Sequence, residues 1–178
     1  MKNLIALILV LTGWTASAQV VEWKVLVEGV QIRWDLPNDA HNGTMNKISA
    51  TIFFDAENPD SCRFEVTIDP ASIDTKNEKR DAHLKSADYF DVKKYPSILF
   101  RSNTVTKTDN GYNVNGKLEV KGKTTEINIA FTFALTQIGG VFNGRLEVNT
   151  TEIGITGVKS ADAGVPNCNV SIAVPVTL

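Results

Sequence analysis

The feature that most constrains this chain is an alternation of period two that recurs from one end to the other. In "TEINIAFTFALT", residues Ile127, Ile129, Phe131, Phe133 and Leu135 share one parity, while Glu126, Asn128, Ala130, Thr132 and Thr136 share the other. Successive side chains of a β-strand point to opposite faces, so such a segment is a strand with one apolar side. The pattern returns in "CNVSIAVPV" through Val170 and Ile172, in "CRFEVTID" through Phe64 and Val66, and in "YNVNGKLEVK" through Val114, Gly116 and Leu118. "FNGRLEVNT" repeats it with Phe142 and Leu146, "EGVQIRWDL" with Ile32 and Trp34, and "NKISATIFFDA" with Ile52 and Phe54. "SILFRSNTV" places Ile98, Phe100 and Ser102 on one face. Gly29 reads as a bulge between "EGVQIRWDL" and the preceding "EWKVLV", which is in the other register. Turn signals at Asp109-Asn110-Gly111 and Gly139-Gly140 separate about eight such runs, the spacing of an all-β sandwich or barrel.

One segment breaks the pattern. In "TKNEKRDAHLKSADYFDVKKYPSILFRS", residues 75–102, Thr75 and Glu78 form a capping-box pair ahead of good helix formers up to Lys85. Ser86 is a second cap candidate, and Pro96 forbids further helix. A short helix at residues 76–85 is expected, crossing an open end if the strands close into a barrel.

At the N-terminus, Lys2, an apolar run from Leu4 to Leu11 and the small residues Ala16 to Ala18 form a secretory signal peptide pattern cut near Ala18. That run is too short for a bilayer, which needs about 20 residues. Residues 19–178 are then one exported domain, periplasmic or secreted. A net charge of −2 offers no footprint for nucleic acid. His41 and His83 have no His or Cys at ligand spacing, so no metal site and no cofactor are expected, and His41 sits in the turn-like "NDAHNGT".

Ser86, His83 and Asp81 invite a hydrolase reading. On a helix, however, residues 81 and 83 point about 200° apart, and no Gly-x-Ser-x-Gly elbow accompanies the serine. Hydrogen bonds tying the helix to a barrel rim explain Arg80, Asp81 and His83 better than catalysis does. The inward set is almost free of charge. An eight-stranded barrel is filled by side chains or holds one small ligand, and an apolar lining suits both; Gly116 and Gly144 on inward positions leave room.

The interrupting segment is similar to the signature of the YceI-like family of polyisoprenoid-binding periplasmic proteins, T-x-N-x-x-R-D-x-H-L-x-S followed by F-D, Y-P and F-x-S. The matches run from Thr75, Asn77, Arg80, Asp81, His83, Leu84 and Ser86 through Phe90, Asp91, Tyr95 and Pro96 to Phe100 and Ser102. "VNGKLEVKGKTTEI" resembles the family's G-x-L-x-x-x-G-x-T hairpin through Gly116, Leu118, Gly122 and Thr124. The chain departs from the family at "NTTEIGI", where many members end a strand in "DFGI", and in "EGVQIRWDL", which lacks the usual His and Ser.

The resemblance implies an eight-stranded antiparallel lipocalin-like barrel with one short helix between strands three and four. Its apolar channel would hold an isoprenoid lipid or quinone, with transient membrane contact for loading. The lining expected from the inward faces is Ile32, Trp34, Ile52, Phe54, Phe64, Val66, Phe100, Val114, Leu118, Ile129, Phe131, Phe133, Phe142, Leu146, Val170 and Ile172, and the mouth or lid is Arg80, Asp81, His83, Leu84 and Phe90. The competing readings are an exported hydrolase and a packed β-domain acting as an interaction module. In up-and-down order Cys62 opens the third strand and Cys168 the eighth. That puts them about 20 Å apart, too far for a disulfide, so two free thiols are expected.

Overall fold

The computed structural model describes residues 20–37, 41–158 and 167–178. Residues 1–18, expected from the sequence to be a signal peptide, lie outside them. Eleven strands form one antiparallel sheet: β1 (Glu22–Val25), β2 (Gln31–Leu36), β3 (His41–Met45), β4 (Ile48–Phe53), β5 (Arg63–Ile68), β6 (Ile73–Asp74), β7 (Ile98–Thr108), β8 (Gly111–Val120), β9 (Lys123–Thr136), β10 (Gly139–Val148) and β11 (Cys168–Thr177). The single α-helix among the described residues, α1 (Glu78–Lys85), falls between β6 and β7.

The sheet closes. β11 pairs with β10 along its length, then with β1 through Thr177 opposite Lys24 and with β2 through Ile172 opposite Ile32. β1 and β2 are therefore two halves of one barrel strand. β3 and β4 are the halves of the next, since β3 pairs β2 while β4 pairs β1. β5 and β6 share the third place, against β4 and β3 respectively. With β7, β8, β9, β10 and β11 this makes an eight-stranded up-and-down barrel, as the alternation implies.

The break in the first strand has a visible cause. A 3₁₀ turn at Val27–Gly29, rather than a bulge, separates β1 from β2, and it faces Pro175 of β11. Proline has no N–H for a ladder, and here the neighbouring strand leaves the sheet. Only the carbonyl of Pro175 is used, accepting from the N–H of Leu26 at 2.9 Å. A Cβ at Gly29 would sit 2.6 Å from Pro175 Cγ, so the two residues fit only as a pair.

Two irregularities change which parity faces inward. The register of β7 against β8 shifts between Ser102 and Thr104, so Val105 rather than Thr104 is buried, at 2% exposure. Lys47 and Asn46 similarly separate inward Met45 from inward Ile48. The hairpin between β8 and β9 turns on Lys121 and Gly122, with φ of 51° and 77°. Two positive φ values make the two-residue turn that matches strand twist. Leu135, in the inward parity, is 75% exposed because β9 outruns the barrel there.

Candidate functional site

The barrel interior is divided across its length. At one end the rings of Phe54, Phe64, Phe131, Phe133 and Phe142 meet with centroids 4.6 to 6.3 Å apart, mostly edge to face or tilted. Trp23 closes on Phe133 at 4.9 Å, and Tyr112 stacks on Phe131 at 5.2 Å. Offset and edge contacts of this kind add about 0.5–1.5 kcal/mol per pair beyond area burial. The indole N–H of Trp23 donates to the carbonyl of Phe54 and the Tyr112 hydroxyl to that of Ala56, so the plug carries its polar atoms satisfied.

The other end is hollow. A cavity of about 900 Å³ opens there. Ile32, Trp34, Ile52, Val66, Phe100, Leu118, Ile129, Leu146, Val170 and Ile172, all expected as lining, lie on its wall. Phe54, Phe64, Val114, Phe131, Phe133 and Phe142 do not, and belong to the packed end. Alternation identifies the inward face; it carries no information on which level of that face is filled. The inward glycines are taken up by neighbouring side chains, Gly140 at the filled level and Gly116 and Gly144 beside residues of the cavity wall. A Cβ on Gly116 would lie 2.7 Å from the Phe100 ring, and one on Gly140 2.4 Å from the Phe133 ring. The space at Gly116 therefore seats an aromatic ring of the protein itself, and a Cβ at Gly144 would meet Ile129 at 3.3 Å.

Helix α1 crosses the mouth. Its N-cap is Asn77, whose Oδ1 accepts the N–H of Arg80 at 3.1 Å; Thr75 is not the cap, and the helix starts at Glu78 instead of 76. Lys76, at φ 59°, precedes that cap. The hydroxyl of buried Thr75 instead donates to Asp81 Oδ1 at 2.6 Å, and its N–H donates to the same oxygen at 2.9 Å. Arg80 Nε donates to the Thr75 hydroxyl oxygen at 3.2 Å. Asp81 thus ties the helix to β6 from behind, away from the cavity, while Arg80, His83, Leu84 and Phe90 lie on the cavity rim.

His83 points its Nε2 toward Asp88 at 3.7 Å and its ring against Tyr89 at 4.9 Å. Ser86, the C-cap of α1, donates its hydroxyl to the backbone carbonyl of His83 at 2.7 Å. The serine and the imidazole are therefore not hydrogen-bonded, and Asp81 is engaged elsewhere.

Sequence reasoning missed part of the rim. His41 is the first residue of β3, opposite Leu36, and lines the cavity with it instead of lying in a solvated turn. Lys79, Asn77 and Tyr89 join from the helical segment, and Thr150, Ile153 and Ile155 from the turn after β10. That turn is the "NTTEIGI" stretch, folded back by Ile155 N–H donating to the Thr150 carbonyl at 2.8 Å. Among the described residues no Asp or Glu side chain lines the cavity, while Lys79, Arg80 and His83 do. Trp34 Nε1 is the buried side-chain N or O among the described residues that has no hydrogen-bond partner.

Cys168 stands on the cavity wall and Cys62 lies in the packed cluster, both free thiols. Burial, with a small contribution from Asp35, pushes the Cys168 thiol up to about 11. Burial also raises Cys62, opposed by a hydrogen bond to the Asp55 backbone. Among the described residues no three His, Cys, Asp or Glu side chains are grouped to hold a metal.

Residues 23–178 match the model of the YceI-like domain. The chain belongs to the YceI-like family. Protein YceI of Salmonella newport is 31% identical over 134 residues, covering 72% of this chain and 70% of that protein. The crystal structure of Burkholderia cenocepacia BcnA superposes with a TM-score of 0.75 at 24% identity, covering 85% of this chain and 98% of BcnA. A polyisoprenoid binding domain from Saccharophagus degradans, implicated in plant cell wall breakdown, shares the fold with a TM-score of 0.57 at 11% identity, over 86% of this chain and 95% of that one.

Proposed function

We infer that this YceI-like protein is an exported binding protein for an isoprenoid lipid, a polyprenyl chain or an isoprenoid quinone. The observation that carries the reading is the cavity of about 900 Å³, walled mainly by apolar side chains and bordered by a polar rim. Each methylene-sized unit of a lipid left in water costs about 0.8 kcal/mol, so a carrier needs a dry slot and no reacting group. A fully packed interaction module would leave no such volume. The shared fold with a domain described as polyisoprenoid-binding supports the same choice.

Among the described residues the rim supplies Lys79, Arg80, His83 and Asn77 and no carboxylate, which favours a head group that accepts hydrogen bonds or carries negative charge. Helix α1 acts as the lid. The protein is not an enzyme on this reading, since Ser86 spends its hydroxyl on a backbone carbonyl. Residues 1–18 direct export and are removed, leaving the domain periplasmic or secreted, where it loads by transient membrane contact.

Of the three tryptophans only Trp23 and Trp34 follow residue 18, and only Trp34 lines the cavity. Titration with an isoprenoid quinone, a quencher, is expected to dim Trp34 in a saturable way and to leave the Trp34→Phe protein, reporting Trp23, nearly unchanged. Ile129→Asp puts an unpaired charge in the wall and abolishes binding. Thr132→Asp, on the exposed face of the same strand, leaves it intact. Equal loss in both, or no saturable quenching, would refute the lipid-binding reading.

A further inference from the structure

The division between hollow and filled barrel falls at one level on every long strand. On β9 Ile129 lines the cavity and Phe131 does not; at the end of β4 the change comes between Ile52 and Phe54, the residue that follows the strand, and on β5 between Val66 and Phe64. Beyond that level the plug is closed: Phe54 is 2% exposed and Val176 1%, and Phe54 touches five other rings within 6.3 Å. A chain entering past α1 therefore meets a floor of aromatic rings and has no second exit through the barrel.

We propose that this aromatic floor is a chain-length ruler, which sets the longest isoprenoid the protein encloses; the proposal rests on the lipid-binding reading above. If a carbon-sized group takes about the 30 Å³ that one water occupies in the liquid, the cavity of about 900 Å³ has room for about thirty carbons, or about six isoprene units. Each unit added up to that length leaves water and tightens binding. Each unit beyond it stays outside the barrel. Phe142 and Ile129 set the floor from its two sides: Phe142 is in the plug, packed on Phe133 at 4.6 Å, and Ile129 is the last cavity residue of β9 before Phe131.

The test is a series of polyprenyl alcohols of three, four, six, nine and eleven isoprene units, each competed against a fixed fluorescent prenyl ligand. Affinity is expected to rise at least about tenfold per unit up to about six units and to change less than about threefold from there to eleven. Ile129→Trp raises the floor by about one unit and moves the plateau to shorter chains. Phe142→Ala, which removes the ring and so vacates its space, moves it to longer ones, and circular dichroism confirms that each variant folds. Affinity still climbing between six and eleven units would overturn the ruler, as would a plateau that stays in place in a folded Ile129→Trp protein that binds. Absence of binding at every length would instead overturn the lipid-binding reading, and the ruler with it.

Discussion

Two cysteines in one small barrel meet different surroundings, and their chemistry should differ accordingly. Cys168 faces the cavity, where burial raises its thiol to about 11; Cys62 is packed in the plug, its Sγ within 3.3 Å of the Asp55 N–H. The thiolate is the nucleophile, so maleimide labelling of Cys168 is expected to be slow at neutral pH and to rise about tenfold per pH unit up to about pH 10. A bound isoprenoid should block it, and Cys62 should stay unlabelled until the protein unfolds. Labelling of Cys168 indifferent to bound lipid would remove it from the lined wall. The same shift has a stability consequence. The folded thiol holds its proton above the ordinary 9.0, so its contribution is complete below that pH and is lost as pH rises from 9 toward about 11.

At the scale of elements, the strands were legible because a half-buried strand must alternate, and the eight runs correspond to the eight places in the barrel. What alternation could not show were the points where parity changes. The shift at Ser102 to Thr104 and the break at Asn46-Lys47 are local backbone departures with no hydrophobic signature. His41 was misplaced for a related reason: its neighbours "NDAHNGT" have turn composition, yet pairing with Leu36 holds it in a strand. The helix was legible, its cap less so, because Thr75 and Asn77 both suit a cap and only the tertiary bond to Asp81 takes Thr75 away. Two substitutions separate these roles. Asn77→Ala should cost about 1 kcal/mol, as for a lost N-cap. Asp81→Ala should cost about 1–3 kcal/mol, because it strands the hydroxyl and N–H of buried Thr75. Urea midpoints with unchanged slope measure both. An Asp81→Ala protein as stable as the parent would mean that α1 is not anchored through β6.

For the whole molecule, the decisive property is that one continuous apolar face does two jobs. Its aromatic half makes a solid core at one end of the barrel, and its aliphatic half walls an empty volume at the other. Both halves read alike in sequence, since Phe131 and Ile129 differ only in size and both satisfy the alternation. Only the three-dimensional level of each side chain separates core from cavity, which is why ten of the sixteen expected lining residues reach the cavity wall and six form the plug. The rim turn after β10 was equally silent, being assembled from backbone hydrogen bonds around Asn149 to Ile155. The central claim is that the hollow half holds an isoprenoid. Its most direct test is mass spectrometry of the lipid extracted from the protein after purification, without detergent, from the cells that make it. The expected result is a near-stoichiometric lipid whose fragments are spaced by one isoprene unit, absent from the Ile129→Asp protein; an empty wild-type cavity, or one filled only by straight-chain fatty acid, would contradict it.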